Sequence, residues 1–283
     1  MSASARRPAW PTFGRDVPDA AWRPSRDDLG DSRLARFVHA ARMPDLETLQ
    51  RRAEADPAWF WGAAADDLGI AWQRPPSAVL DATEGPEWTR WWIGGGFNYA
   101  EAATGPRARR DPDAPALAWE GEDGETLSFT ASQLHEAVHR AARAFQALGV
   151  REGDRVGVLL PMLSETVITV LALGLLRAIY TPIFSGYGPA AVASRLADAG
   201  AKLLVTADGF LRRGEPVALK AVADEAVAGA PSVERVVVVR RLGEARLDTP
   251  WTNGRDVDWQ WRSRRPTARR STSRSRIPRR RTW

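Results

Sequence analysis

The sequence predicts an α/β fold, a mainly parallel sheet with flanking helices, preceded by a helical, tryptophan-rich extension. Between Asp154 and Pro189, a β-branched run stops at Pro161, an apolar helical pattern follows, and a second strand-like run ends in a glycine turn. Strand, crossover helix and strand in this order are typical of the βαβ unit of a parallel sheet. The alternation continues downstream and yields four predicted strands, which are Val156–Leu160, Ala178–Phe184, Lys202–Thr206 and Arg235–Arg240.

The extension is predicted from helix caps and tryptophan content. Asp45 precedes one helical pattern, and Asp56 followed by Pro57 gives the next pattern a cap and a first-turn proline. Eight of the 13 tryptophans precede residue 93, and we interpret them as packing residues rather than as a stacking surface for sugars or bases. The predicted organisation is a helical extension (1–90), a partial α/β domain (91–250) and a divergent, disordered tail rich in Arg, Ser and Pro (251–283).

Local patterns between the extension and the βαβ unit predict a hairpin and a helix. Leu117–Glu120 and Thr126–Phe129 flank an acidic glycine turn, which predicts the hairpin. Thr130 and Gln133 form a capping box for a helix that runs to about Leu148.

Three consecutive glycines, Gly94 to Gly96, resemble a phosphate-binding loop only superficially. They lack the strand before and the helix after that such a loop requires. We predict instead a backbone turn in which Asn98 holds the chain through side-chain hydrogen bonds.

Composition limits the location of the protein and excludes some chemistry. There is no cysteine, so disulfides and thiolate catalysis are excluded. The N-terminal residues lack the apolar core of a signal peptide, and the longest apolar stretch, Val167–Leu176, is too short to span a bilayer. We expect a cytoplasmic protein with no membrane partner.

A short helical string offers one candidate metal site. HEAVH, from His135 to His139, places two imidazoles on one face of a predicted helix at zinc-ligand spacing. Zinc needs a third protein ligand, and only acids distant in sequence, such as Glu165, are available. The preferred interpretation is a solvated helix flank, and a zinc-dependent hydrolase using His135, Glu136 and His139 is the alternative.

The glycine turn offers a second candidate site. Phe184, Ser185 and Gly186 end a strand and lead into a helix, whose backbone N–H groups and dipole favour an anion. Arg212 and Arg213 follow the next strand, and neighbouring strand ends converge at one edge of a parallel sheet. Arginine suits phosphate because its planar fork donates two hydrogen bonds and stays charged. A surface loop with solvated arginines is the other interpretation that the spacing allows.

Nine collinear motifs carry a family resemblance: Asp56–Trp61, Trp92–Asn98, Ala118–Gly121, Leu148–Val150, Gly153–Val156, Leu160–Met162, Phe184–Tyr187, Thr206–Gly209 and Arg212–Gly214. In these motifs the chain resembles the N-terminal part of AMP-forming acetyl-CoA synthetases, within the adenylate-forming acyl-CoA synthetase superfamily. The similarity runs from about Trp22 to Gly243.

The resemblance implies a two-step ligase reaction. A short carboxylate such as acetate attacks ATP, with Mg²⁺ as cofactor, to form an acyl-adenylate and pyrophosphate, and the thiol of coenzyme A then displaces AMP. It also implies that Phe184, Ser185, Gly186 and Arg212 contact coenzyme A, with Arg213 standing in for a second basic residue where this chain has Glu215.

The resemblance further implies an incomplete enzyme. The superfamily's glycine-rich phosphate loop ends in lysine, but the only lysines are Lys202 and Lys220, and neither lies in such a loop. The adenine-binding motifs and the small C-terminal domain are also unmatched. We therefore expect a fragment that is catalytically inactive alone, with strand edges such as Val236–Val239 left without their neighbours.

The end of the sequence carries the positive charge. From Gln260 to Trp283 there are ten arginines and no acid or lysine, and the preceding residues hold 30 basic and 35 acidic groups. We favour a reading-frame shift near residue 260, because the similarity breaks down in mid-domain. A genuine arginine/serine tail that binds nucleic acid is the alternative.

Overall fold

The computed structural model describes Ser25, Gly30 and residues 32–259. The predicted disorder of residues 260–283 lies outside the described residues. The described residues divide into two compact units, one up to Gly96 and one from Phe97.

Among its described residues, the first unit contains three α-helices and one small antiparallel sheet. The helices are α1 (Arg33–Ala40), α2 (Leu46–Ala55) and α3 (Pro57–Leu68), and the strands are β1 (Ala78–Asp81) and β2 (Arg90–Ile93). The predicted caps of α2 and α3 are confirmed, since Asp45 accepts from Thr48 N at 2.7 Å and Asp56 accepts from Trp59 N at 3.0 Å.

Aromatic pairs connect the elements of this unit. The rings of Trp61 and Trp91 lie 6.1 Å apart edge to face, and those of Trp72 and Trp92 lie 5.1 Å apart. Such pairs supply large apolar contact with few residues. The caps in the sequence predict α2 and α3, but no pattern in the sequence predicts the β1–β2 pairing.

The second unit begins with the elements that flank its main sheet. They are helix α4 (Tyr99–Arg110), the antiparallel hairpin of β3 (Pro115–Glu120) and β4 (Thr126–Thr130), and helix α5 (Ala131–Ala147). The predicted capping box is confirmed: Gln133 N donates to Thr130 Oγ1 at 3.3 Å, and Thr130 N donates to Gln133 Oε1 at 3.0 Å.

Asn98 caps α4 and ties it to a neighbouring helix, as the predicted turn requires. Its side-chain oxygen accepts from the backbone N–H groups of Ala100 and Glu101, both at 3.1 Å. Its amide nitrogen donates to Gly174 O at 3.0 Å. The side chain therefore has a structural role here.

A five-stranded parallel sheet forms the centre of the second unit. In chain order the elements are β5 (Arg155–Leu159), α6 (Ser164–Leu175), β6 (Ile179–Pro182), α7 (Pro189–Ala199), β7 (Leu203–Ala207), β8 (Phe210–Arg212), β9 (Glu215–Val217), α8 (Leu219–Ala228), β10 (Arg235–Val239) and β11 (Asp256–Asp258).

The strand order in this sheet is β11-β10-β7-β5-β6. Every residue of the β7 strand is buried, as expected for a parallel sheet with helices on both faces.

The structure confirms the α/β class and corrects three details. Strand β11 was not predicted, and it pairs in parallel with β10 through Val236 and Asp256. The expectation that Val236–Val239 lacks a neighbour is therefore wrong. The sequence predicts a helix from about Pro216 to Ala228. This helix starts at Leu219 instead, because residues 215–217 pair with residues 210–212 as a hairpin.

Residues 251–259 also differ from the predicted organisation. The sequence assigned them to the disordered tail, whereas the structure places β11 within them. No helix in the described part of the chain is both long and apolar enough to cross a bilayer.

Candidate functional site

A cleft of about 380 Å³ opens at the carboxyl ends of β5 and β6. This is the edge where parallel α/β sheets place their ligands. Its walls come from the segments after these strands, from the β3–β4 hairpin and from the β8 strand. The lining residues are Trp119, Glu120, Gly121, Glu122, Pro161, Met162, Leu163, Phe184, Ser185, Gly186, Phe210, Leu211, Arg212 and Arg241.

Four of the five predicted site residues line this cleft. Phe184, Ser185 and Gly186 form one side, and Arg212 at the end of β8 contributes to another. Arg213 does not line it; it lies exposed in the β8–β9 turn with φ +56°. The structure thus brings the glycine turn and Arg212 together.

The glycine turn has a defined shape. Tyr187 N donates to Phe184 O at 3.0 Å, which closes a four-residue turn with Ser185 and Gly186 at its centre. The ring of Phe184 is 65% exposed, and it meets the ring of Tyr187 edge to face at 5.6 Å. An aromatic face is therefore presented to solvent beside the cleft.

The cleft includes two residues that the sequence did not identify as site residues, Trp119 of the hairpin and Arg241 after β10. Trp119 Nε1 donates to Met162 O at 2.7 Å, which connects β3 to the segment after β5. The guanidinium of Arg241 lies 4.9 Å from the Trp119 ring centroid. No local pattern points to these contacts, because each joins segments far apart in the chain.

The charge of Arg241 is already balanced. Its guanidinium pairs with Asp123 at 2.7 Å and with Glu125 at 3.0 Å. Burial raises the pKa of Asp123, but hydrogen bonds from Arg241 and Arg246 outweigh burial and hold that pKa below its usual value of 3.8.

Arg212 differs from Arg241 in this respect. Within residues 32–259, its side chain takes part in no ion pair or hydrogen bond, and it is exposed. Glu122, also on the cleft, accepts a hydrogen bond from Gly214 N at 3.1 Å. Arg212 is thus the cleft cation best suited to a negatively charged ligand.

Asp208 holds the loop that carries Arg241 into the cleft. It follows β7, is 1% exposed, and accepts hydrogen bonds from the backbone N–H groups of Gly209, Arg241, Leu242 and Gly243 at 2.7–3.1 Å. A carboxylate with this many backbone donors fixes the loop that carries Arg241. Asp208 belongs to the motif Thr206–Gly209 of the family resemblance, and in the structure its carboxylate holds the loop of residues 241–243.

Neither lysine is available to hold a nucleotide phosphate. Lys202 Nζ donates to Gly149 O at 3.0 Å and lies 3.5 Å from Asp154. Lys220 is fully buried in an ion-pair network. Both lysines are therefore engaged in structural contacts, whereas the cleft presents an aromatic ring at Phe184 and a cation at Arg212.

Two family models match the chain. The family model of AMP-binding enzymes matches residues 106–275, and that of the acetyl-coenzyme A synthetase N-terminus matches residues 46–103. The first match extends past residue 260 into the arginine-rich segment. The reading-frame shift near residue 260 stays a prediction, which the nucleotide sequence of the gene would test.

Individual relatives agree with these matches. The chain is 42% identical over 222 residues to an acetyl-coenzyme A synthetase of Mycobacterium bovis, covering 75% of this chain and 32% of the relative. It is 42% identical over 200 residues to that of Methanothrix thermoacetophila, covering 70% and 29%. The chain thus spans about a third of the length of these curated relatives.

A solved structure supports the same grouping. The acetoacetyl-CoA synthetase from Streptomyces lividans superposes with a TM-score of 0.77 at 26% identity, covering 86% of this chain and 38% of that one. The AMP-binding model alone matches more than half of the sequence. The chain therefore belongs to the AMP-binding enzyme family and carries the N-terminal region of the acetyl-coenzyme A synthetase type.

Proposed function

We propose that this chain is the coenzyme A-facing part of an acyl-CoA synthetase that acts on acetate or a similarly short carboxylic acid. The complete reaction joins the acid to AMP with loss of pyrophosphate, and coenzyme A then displaces AMP to give the thioester. The observation that carries the proposal is that Phe184–Gly186 and Arg212 line one cleft at the carboxyl edge of the sheet.

The chemistry of coenzyme A suits these residues. The molecule carries a flat adenine ring and several phosphates. Phe184 offers an exposed ring for stacking. The guanidinium of Arg212, which has no partner among the described residues, offers two parallel donors to a phosphate. Gly186 leaves room for the ring of Phe184, since an added Cβ would lie 2.5 Å from its Cε1. Arg213, which lies outside the cleft, has at most a long-range electrostatic role.

We further infer that this stretch alone does not form acyl-adenylate. Both lysines are engaged in structural contacts, so neither is available as the lysine that ends the phosphate loop of the superfamily. ATP and Mg²⁺ belong to the complete reaction and not to the groups present here. Since ATP and coenzyme A are cytoplasmic metabolites, the proposed site of action is the cytoplasm.

Calorimetric titration of the chain with coenzyme A tests the proposed contact. We expect weak binding by the wild type, a loss of at least about tenfold in Arg212→Ala, since charge-assisted hydrogen bonds contribute about 1.5–3 kcal/mol, and a similar loss in Phe184→Ala. Arg213→Ala is the matched control and should bind nearly as well as the wild type. Equal affinities in all four proteins would contradict the assignment.

Acetate-dependent exchange of pyrophosphate into ATP tests the inferred inactivity. The purified chain should show no exchange above a buffer blank. Exchange that depends on acetate and Mg²⁺ would show that the ATP site is complete in this stretch, and it would leave the coenzyme A contact to be judged from the titration.

A further inference from the structure

The helical pair α4–α5 brings together three metal-ligating side chains that are separated in sequence. The HEAVH string supplies His135 and His139 on one face of α5, and Glu101 approaches them from the first turn of α4. One ligand atom from each of the three side chains lies within 4.8 Å of the others. None of the three residues lines the cleft described above.

The two imidazoles are arranged as a pair. Residues four apart on a helix project from the same face, and the ring centroids of His135 and His139 lie 4.3 Å apart. Each side chain is only partly exposed.

Thr104 orients the first imidazole. Its hydroxyl donates to Ala100 O at 2.9 Å, so the contact of 3.1 Å between Thr104 Oγ1 and His135 Nδ1 requires the ring N–H to be the donor. The Nε2 atom of His135 then carries the free lone pair. An oxygen partner on the second ring nitrogen is the usual device that fixes the tautomer of a metal-binding histidine.

The second imidazole and the carboxylate lack a mutual hydrogen bond. His139 Nε2 is shielded from solvent and makes no hydrogen bond within the described residues. It lies 3.5 Å from Glu101 Oε2. The other carboxylate oxygen, Oε1, pairs with Arg109 at 3.2 Å, which leaves Oε2 directed to the histidines.

We propose that Glu101, His135 and His139 form a binding site for a divalent transition metal of the Zn²⁺ type, which links α4 to α5. Two imidazole nitrogens and one carboxylate oxygen are a common zinc-ligand set, with water as the fourth ligand. Tetrahedral ligands of zinc lie about 3.3 Å apart, so binding draws the three groups closer than they lie in the metal-free arrangement. Glu136 pairs with Arg140 at 3.6 Å on the exposed side of α5, and no hydrolytic step is assigned to it.

Zinc binding by the full chain, purified without a polyhistidine tag, tests the proposal. After equilibration with Zn²⁺ and dialysis against metal-free buffer, elemental analysis should find about one zinc per chain. Affinity should fall at least about 100-fold in His139→Ala and Glu101→Gln, and about tenfold in Thr104→Val, which removes only the orienting hydroxyl. His39→Ala, which alters the remaining histidine of the sequence, is the matched control and should keep wild-type affinity.

Thermal melting separates loss of the site from loss of the fold. Zn²⁺ should raise the midpoint of the wild type and of His39→Ala, and it should leave Glu101→Gln unchanged although that variant melts cooperatively without metal. Substoichiometric zinc in the wild type would overturn the proposal. Wild-type zinc affinity in both His139→Ala and Glu101→Gln would also overturn it.

Discussion

Lys220 Nζ lies 2.8 Å from Oδ2 of Asp256, and both side chains are fully buried. Lys220 is the second residue of α8, and Asp256 is the first residue of β11. This ion pair therefore attaches the outer strand of the sheet to a helix. Asp224 accepts from the same ammonium at 2.6 Å, and Pro250 O accepts at 3.2 Å. Arg255 donates to both acids and completes the network.

Replacing Lys220 with methionine should destabilise the second unit by about 3 kcal/mol or more, because removing one partner leaves buried carboxylates with less compensation. Urea denaturation followed by circular dichroism measures the loss. Hydrogen exchange should also rise in peptides that contain residues 252–258. Lys202→Met, at a partly exposed lysine, is the matched control and should cost less than about 1 kcal/mol. Equal losses at the two lysines would argue against the role of the buried network.

Acid should weaken the attachment of β11. Burial raises the pKa of Asp256, but hydrogen bonds from Arg255 and Lys220 outweigh burial and hold that pKa below 3.8. The unfolded chain therefore takes up a proton at a higher pH than the folded chain does. The stabilisation is complete above the unfolded pKa and is lost as pH falls through the folded one.

Urea midpoints measured from pH 7 to pH 3 test this dependence. Below about pH 4 the free energy of unfolding should fall less steeply in Asp256→Asn than in the wild type, because one titrating group contributes up to about 1.4 kcal/mol per pH unit. Asp198→Asn, at an exposed acid of α7, should keep the wild-type slope. A slope unchanged in Asp256→Asn would rule out this residue as a source of acid sensitivity.

Asp208→Asn should cost about 3 kcal/mol or more. The asparagine side chain has a single acceptor oxygen, and its NH₂ group faces backbone N–H groups that the Asp208 carboxylate binds in the wild type. Buried donors left without partners cost about 1–3 kcal/mol each. Hydrogen exchange at residues 241–243 should increase together with the fall in urea midpoint. Asp198→Asn again supplies the comparison, and a loss no larger than its loss would refute the prediction.

Gly186→Ala should alter the cleft with little effect on stability. An added Cβ would lie 2.5 Å from Cε1 of Phe184, and this exposed ring can move away, so the cost in unfolding free energy should stay within about 0.5 kcal/mol. The displaced ring should weaken coenzyme A binding in the proposed site. In a Phe184→Ala background the same substitution should have no further effect on affinity, because the two changes share one ring. Additive losses would show that Gly186 acts independently of Phe184.

Local patterns in the sequence determined the βαβ unit, the capping box at Thr130 and the glycine turn before α7. Each of these features depends on residues that are close in sequence, so hydrophobic periodicity and cap residues are enough to predict it. The sequence also indicated that Arg212 would approach the turn, because parallel strands bring their carboxyl ends to one edge.

Only the tertiary structure decided the position of β11, the pairing of Arg241 with Asp123, and the approach of Glu101 to the two histidines. Strand β11 is a three-residue segment, Asp-Val-Asp, with no strand signal of its own, and it is positioned by β10 and by the buried contact of Asp256 with Lys220. These contacts join residues tens of positions apart. Their free energy comes from burial and charge pairing between elements that come together only in the folded chain.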